Sequence, residues 1–252
     1  MHSHRIASWS GTLAALGASA LAGTAYASFL GLSGTNYEVV DGVHRYSVID
    51  VYADFSGAYD KLVNFYGSAS SPSQVRTALN GNFGNGPAFA QTTGTGWLPT
   101  SVEAAGAWDS FVTIGARDQS AASAVVSADP YFLNSQTLLA GSISGGTNAQ
   151  GTFIGAGWYT GSPSGSHVYA GTYADRRIML GRFSIETTQL SATDAVTLQF
   201  KGNLSMRVNG TSAGAGTVSQ PSVNQTFTYG FVPAPGACAL IGAAGLLARR
   251  RR

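Results

Sequence analysis

Apolar and polar side chains alternate most clearly in residues 43–55, the pattern of a half-buried strand. Successive strand side chains point to opposite faces, so one face of this segment carries Ile49, Val51, Ala53 and Phe55. The other face carries Val48, Asp50, Tyr52 and Asp54. An Asp41-Gly42 pair, favoured in type I′ turns, separates this segment from residues 37–40. The pattern predicts a β-hairpin.

Further short segments rich in β-branched and aromatic residues follow, separated by stretches dense in Gly, Ser, Asn and Thr. The predicted strands are residues 62–66, 110–116, 138–143, 152–159, 168–172, 177–185, 196–201, 204–208 and 223–229. No convincing helical stripe occurs before residue 232. Roughly nine to eleven strands at this spacing predict an all-β fold. We expect a single β-sandwich over residues 28–231, of the jelly-roll or cohesin/Ig-like type.

Residues 1–27 have the pattern of a secretory signal peptide. Arg5 supplies a basic start, and residues 11–23 are apolar and rich in Ala and Leu. Ala25 and Ala27 form an A-x-A cleavage site before Ser28. The pattern predicts export through the Sec translocon and removal of residues 1–27 by signal peptidase.

Residues 232–252 combine a Pro/Gly break, an apolar run and four arginines. The apolar residues 237–248 would rise only about 18 Å as a helix, whereas extension back to residue 231 gives about 27 Å, close to a hydrocarbon core. We therefore predict a short transmembrane helix. The arginines should hold the chain end on the cytoplasmic side: Arg249, Arg250, Arg251 and Arg252.

This tail resembles the PEP-CTERM sorting signal of bacterial surface proteins, in the VPAPG form found in planctomycetes. The motif is Val232, Pro233, Ala234, Pro235 and Gly236, with alanine in place of the glutamate that names the family. Residues 47–55 and 109–115 likewise resemble secreted planctomycete proteins of unknown function. The resemblance implies cleavage near the motif by an exosortase, a membrane cysteine protease, after transient anchoring in the cytoplasmic membrane. The alternative is an ordinary single-pass anchor that keeps its tail.

Charge and cysteine content narrow the function of residues 28–231. The whole chain has 14 basic and 12 acidic groups, but five of the arginines lie in the two terminal segments. Residues 28–231 therefore carry nine basic against 12 acidic groups, a net charge of −3, which argues against electrostatic binding to nucleic acid. The one cysteine, Cys238, lies in the tail, so a disulfide scaffold or a His/Cys zinc cluster is not expected.

Catalytic motifs are not recognisable, and we predict neither an enzyme nor a cofactor. A glycoside hydrolase, the third hypothesis, would need two facing carboxylates. The available residues are Glu38, Glu103, Glu186, Asp50, Asp54, Asp109 and Asp118, and the sequence distinguishes no pair among them. A Ca²⁺ site at Asp54 and Asp60 is the metal alternative, against a role of these carboxylates in turns or in solvent. We predict no metal site.

Aromatic residues around a Gly/Ser loop give the second hypothesis, a carbohydrate-binding module with an extracellular polysaccharide as partner. The predicted platform is Trp158, Tyr159, Tyr169 and Tyr173, and Trp97 and Trp108 offer a similar arrangement. The competing interpretation places these rings in the core. The leading hypothesis is a non-enzymatic cell-surface or extracellular-matrix protein, exported and sorted through its tail.

Overall fold

The computed structural model describes residues 29–68, 73–91, 107–115, 126–128, 142–144, 146–147, 153–154 and 157–230. The predicted signal peptide, with Ala25 and Ala27, lies outside these residues. So do the sorting motif 232–236, the span 237–248 and the arginines 249–252. Within the described ranges, no helix is long and apolar enough to cross a membrane.

The protein is all-β, which confirms the predicted fold class. The strands are β1 (Phe29–Asp41), β2 (His44–Phe55), β3 (Lys61–Tyr66), β4 (Gln74–Leu79), β5 (Phe111–Val112), β6 (Val126–Ala128), β7 (Ser142–Ser144), β8 (Gly146–Thr147), β9 (Phe153–Ile154), β10 (Trp158–Thr160), β11 (Arg177–Glu186), β12 (Val196–Val208), β13 (Thr217–Ser219) and β14 (Ser222–Thr228). The described helical residues form only short 3₁₀ turns, at Phe83–Asn85, Ser166–Val168 and Ala170–Thr172.

The first sheet has four antiparallel strands in the order β1-β2-β11-β5. The predicted hairpin is present, but its turn is shifted by one residue. Asp41 still pairs with His44 in the ladder, so Gly42 and Val43 form the turn. Only Gly42 adopts a positive φ, of 61°, whereas a type I′ turn requires positive φ at both central residues.

β1 begins at Phe29, well before the predicted start at residue 37. Residues 31–36 are rich in Gly, Ser, Thr and Asn, which is typical of a loop. Packing explains why the glycine at position 34 lies in a strand and not in a loop. A Cβ added to Gly34 would lie only 2.9 Å from the Phe227 ring. A close approach between β1 and β14 therefore needs glycine within the strand.

The second sheet is built around β12, in the order β6-β10-β3-β12-β4-β7, and β13 and β14 also pair with β12. The separate strands predicted at 196–201 and 204–208 are one continuous strand. Asn203, in the predicted turn between them, pairs with Tyr66 on one side and Ser222 on the other. Strand β4, which was not predicted, pairs with the first half of β12. β8 and β9 form a separate two-stranded sheet.

The prediction of a strand at residues 168–172 is wrong, because this segment lies in two consecutive 3₁₀ turns. Its backbone is held by the segment before β3: Ala170 N–H donates to Asp60 C=O at 2.8 Å, and Gly171 N–H donates to Ala58 C=O at 2.8 Å. Tertiary hydrogen bonds thus replace the ladder that its apolar pattern suggested.

Side chains from both large sheets form one hydrophobic core. From β2 it receives the predicted set Ile49, Val51, Ala53 and Phe55, all buried. Its aromatic centre consists of Phe65, Trp158, Phe183 and Phe200. The opposite face of β2 is also covered, since Tyr52 belongs to a second cluster with Phe111 and Met179.

Candidate ligand-binding cleft

The predicted aromatic platform does not assemble, because strand β10 sends its first two rings in opposite directions. Trp158 is 1% exposed and its ring centroid lies 4.5 Å from that of Phe65. Its Nε1–H donates to Thr113 C=O at 2.9 Å, which satisfies the one polar atom of the indole. Trp158 is therefore a core residue, and only Tyr159, 46% exposed, remains accessible on this strand.

The other two predicted platform residues lie near the 3₁₀ turns. The Tyr173 hydroxyl lies within hydrogen-bond distance of the carbonyl oxygens of Gly115 and His167 and shares its one hydrogen between them, so this side chain links two backbone segments. Tyr169 lines an open depression of about 350 Å³ with Tyr59 and Thr172. The Lys61 ammonium lies 5.5 Å from the centre of the Tyr169 ring. Tyr159 does not line this depression.

A second concavity, of about 310 Å³, lies at the end of the first sheet where β1 turns into β2. We name it the Trp108 cleft. It is lined by Tyr46, Trp108, Glu186 and residues 87–91. Its size is at the lower end of the usual range for small-molecule sites.

Regular pairing positions most of the cleft. Tyr46 on β2 is directly opposite Glu186, the last residue of β11. Residues 89 and 90 lie alongside β11, because Ala90 N–H donates to Ser184 C=O at 2.8 Å and Phe89 forms a bridge with Ile185. Backbone pairing therefore fixes the positions of Tyr46, Glu186 and residues 89–90 around the cleft.

Trp108 is held by two contacts. Its ring stacks on Tyr46, with centroids 4.3 Å apart and planes inclined by 7°. Its Nε1–H donates to an Asp41 carboxylate oxygen at 3.0 Å. These contacts determine both the plane and the rotation of a half-buried indole.

Two titratable groups of the cleft have shifted pKa values. The Glu186 carboxylate accepts a hydrogen bond from His44 Nδ1 at 2.7 Å, and this bond chiefly lowers the pKa of Glu186. Burial raises the pKa of Tyr46, and the charges of Glu186 and Asp41 raise it further. At neutral pH the cleft therefore presents a carboxylate acceptor beside a neutral phenol.

The other described carboxylates considered for a glycoside hydrolase do not line the Trp108 cleft. Asp50 forms a bidentate pair with Arg182, at 2.8 and 3.1 Å, and Asp54 accepts from the Ser33 hydroxyl at 2.8 Å. Glu38 lies 3.4 Å from Arg45 Nη1. Asp109 is buried, whereas Glu103 and Asp118 lie outside the described residues. Among the described residues, Glu186 is the one carboxylate that lines the Trp108 cleft, so the geometry offers no hydrolytic pair there.

Asp54 and Asp60, the two carboxylates considered for a Ca²⁺ site, form hydrogen bonds with different parts of the protein. Asp60 is fully buried, and its two oxygens accept from the backbone N–H groups of Gly57 at 3.0 Å and Asn209 at 2.9 Å. Asp54 binds Ser33 instead. In the part of the chain that the structure describes, no cluster of three His, Cys, Asp or Glu residues is arranged to hold a metal ion.

The sequence singled out Trp108 but missed the partners that complete its cleft. Tyr46 and Gln91 precede it in the chain and Glu186 follows it, each in a different segment. The signal available was a tryptophan beside Asp109 and Ser110, just before a strand. Tertiary pairing alone brings the four side chains together.

Comparison with known proteins adds no family at this point. No protein-family model matches the chain, and a search of curated proteins finds no match.

Proposed function

We propose that this chain is an exported, non-enzymatic surface or matrix protein whose β-sandwich ectodomain is sorted through its C-terminal tail. The observation that carries the proposal is the order of features in residues 232–252: the VPAPG motif, the apolar run and the four arginines. Held in the membrane by the run and the arginines, the motif would be accessible to an exosortase outside the cytoplasm.

The C-terminal end of the described fold supports this proposal. After β14, Tyr229 is buried and donates its hydroxyl to Phe183 C=O at 3.0 Å. The Ser47 hydroxyl donates to Gly230 C=O at 2.6 Å. All four residues in these contacts precede Val232. Cleavage at the motif would therefore leave these contacts in place.

The sandwich architecture is supported by the shared core of the two large sheets. Apolar side chains from β2 and β11 in the first sheet meet those from β3, β10 and β12 in the second. Two sheets that pack face to face in this way are the usual arrangement of a β-sandwich domain.

Intact-mass measurement on protein recovered from the native cell surface and medium tests the proposal. We expect a chain that begins near Ser28 and lacks the residues beyond the motif, with any additional mass revealing an attached acceptor. The double variant Pro233→Ala/Pro235→Ala should keep its tail. Pro221→Ala, a proline outside the motif, should be processed as the unaltered chain is. A mature protein that retains residues 237–252 would leave only the single-pass anchor.

A further inference from the structure

We propose that the Trp108 cleft binds a pyranose ring of a neutral glycan. This inference concerns a site in the ectodomain and is independent of how the tail is processed. None of Trp158, Tyr159, Tyr169 and Tyr173 lines this cleft. Of the second arrangement suggested by the sequence, Trp108 lines it and Trp97 lies outside the described residues.

A preorganised aromatic surface is the first requirement of such a site. One face of the Trp108 indole lies against Tyr46, and the Nε1 edge is held by Asp41. Trp108 is only half-buried and lines the cleft, so part of its ring stays accessible there. The face of an aromatic ring is electron-rich, and it suits the row of polarised C–H bonds on one side of a pyranose. Because the ring is already held, little side-chain entropy would be lost on binding.

Polar groups beside this surface match the second requirement, hydroxyl recognition. Tyr46 contributes a phenol, which is neutral at neutral pH as tyrosine ordinarily is. Glu186 supplies a carboxylate acceptor, oriented by His44. Gln91 donates its Nε2–H to Ser110 C=O at 3.3 Å, which fixes the orientation of its amide. A sugar hydroxyl both donates and accepts, so it can bond to a phenol and to a carboxylate.

The charge of the cleft disfavours anionic ligands. Among the described residues that line it there is no lysine or arginine, whereas Glu186 is present, and Asp41 is bound to the Trp108 ring. A phosphate or a uronic acid would meet these carboxylates without a compensating cation from the lining. A wholly apolar ligand would desolvate the Glu186 carboxylate without offering it a hydrogen bond, which is costly.

The shape of the aromatic pair argues against a cationic ligand. Aromatic recognition of ammonium groups uses a cage of several ring faces around the cation. Here the two rings are nearly parallel and in contact, inclined by only 7°, so they present one flat surface. The Glu186 carboxylate is already paired with His44. A flat ring fits this surface better than a sphere does.

Binding of defined sugars to the full-length protein in detergent tests the proposal. The probes are the hexasaccharides of β-1,4-linked, β-1,3-linked and α-1,4-linked glucose, measured by titration calorimetry. Hexagalacturonate and phenyltrimethylammonium serve as the anionic and cationic comparisons. We expect saturable binding of at least one neutral hexasaccharide and none of the two charged probes.

Variants locate the binding. Trp108→Ala should weaken the affinity by about tenfold or more, since the stacking surface is lost. Glu186→Gln, which keeps the shape of the side chain, should weaken it several-fold. The matched control is Tyr159→Ala, which removes an exposed ring outside the cleft and should leave the affinity unchanged. If Trp108→Ala does not fold, Glu186→Gln decides alone.

Three results would overturn the proposal. The first is the absence of binding by all three neutral hexasaccharides. The second is an affinity that folded Trp108→Ala, or Glu186→Gln, leaves unchanged. The third is binding of the ammonium compound or of hexagalacturonate in preference to the neutral sugars. None of these results bears on tail cleavage, which the mass measurement reports separately.

Discussion

Asp60 illustrates at the scale of one residue how burial and hydrogen bonding oppose each other. Burial raises the pKa of this carboxyl, while the N–H groups of Asn209 and Gly57, with the charge of Arg176, act to lower it. Burial is the larger effect, so the pKa in the folded protein lies above the ordinary value of 3.8. The carboxylate joins the loop before β3 to the end of β12.

Replacement of Asp60 by Asn should lower the free energy of unfolding by about 1–3 kcal/mol, because one backbone N–H would then face the amide N–H₂. Stability from the raised pKa is fully present below about pH 3.8 and is lost as pH rises through the folded-state pKa. The difference in free energy of unfolding between the unaltered protein and Asp60→Asn should therefore decrease as pH rises from about 3.8 through the folded-state pKa. Urea unfolding at several pH values measures this difference.

The control for this prediction is Asp54→Asn. Its partner is the Ser33 hydroxyl, which can rotate to suit an amide, so a smaller loss is expected. Equal losses for the two variants would contradict the importance of the paired backbone donors at Asp60.

His167 should make the protein sensitive to mild acid. It is 8% exposed, its Nε2 is hydrogen-bonded to Thr160 Oγ1 at 3.1 Å, and burial lowers its pKa below 6.5. Stability from the neutral imidazole is full above about pH 6.5 and is lost as pH falls through the lower folded-state pKa. Thermal unfolding at about pH 7.5 and about pH 5.0, on either side of the ordinary pKa of histidine, should show a smaller acid shift in His167→Gln.

The exposed histidine His44 supplies the matched comparison, with 53% of its side chain accessible. His44→Gln should retain the acid shift that His167 causes. If acid lowers the thermal midpoint equally in the unaltered protein and in His167→Gln, then His167 is not the cause of the acid sensitivity.

At the scale of the element, the register of β2 against β11 places Asp50 opposite Arg182. The pair lies on the face of the sheet away from the main core, with the Tyr37 hydroxyl 3.4 Å from Asp50 and the guanidinium 5.3 Å from the Phe111 ring centre. Both side chains are largely buried, 13% of Arg182 and 10% of Asp50 being accessible. A one-residue slip of either strand would turn its charge toward the apolar core, so the pair also disfavours the wrong register.

Asp50→Ala should cost about 3–5 kcal/mol, because it leaves the Arg182 guanidinium buried without its counter-ion. The double variant Asp50→Leu/Arg182→Met should recover most of that loss, since it removes both charges and keeps much of the volume. Denaturant unfolding of the single and double variants gives the coupling. Additive losses would show that the two side chains do not act as a pair.

In strand β10, the adjacent residues Trp158 and Tyr159 lie on opposite faces, and replacing each by alanine tests this arrangement. Trp158→Ala should lower stability by about 3–5 kcal/mol, since it opens a cavity between Phe65 and Phe200. Tyr159→Ala should change it by no more than about 0.5 kcal/mol. Far-ultraviolet circular dichroism is suitable because it does not rely on tryptophan emission. Similar effects of the two variants would contradict the alternation observed in β10.

At the scale of the whole molecule, the first and last described strands meet. The Asn36 side-chain amide donates to Thr228 C=O at 2.9 Å, and Phe227 packs over Gly34. Tyr229 then inserts into the core beside Phe183. The described fold is thus closed by its two ends.

Truncation checks this closure. A chain of residues 28–230 should unfold with the same thermal midpoint as a chain of residues 28–236. A chain of residues 28–226 should lose cooperative unfolding or melt far earlier, because it lacks Phe227 and Tyr229. Equal midpoints for all three chains would show that the end of β14 contributes little to the core.

Alternating polarity was sufficient to predict the fold class and the position of most long strands, because a half-buried strand repeats every two residues. It failed where local composition and tertiary contacts disagree. Residues 31–36 have a loop-like composition but pair with β2, and residues 168–172 have a strand-like composition but bond to the segment before β3. Alternation in β10 also did not reveal which ring faces the core.

By itself, therefore, the sequence determined the all-β class and the inward face of β2, since both follow from local periodicity. It also carries the terminal patterns on which the export proposal depends. Only the tertiary structure decided that Trp158 is core, and that Trp108 meets Tyr46, Gln91 and Glu186. Such a cleft forms from residues far apart in the chain, and strand pairing, which brings them together, is a long-range property that no local pattern encodes.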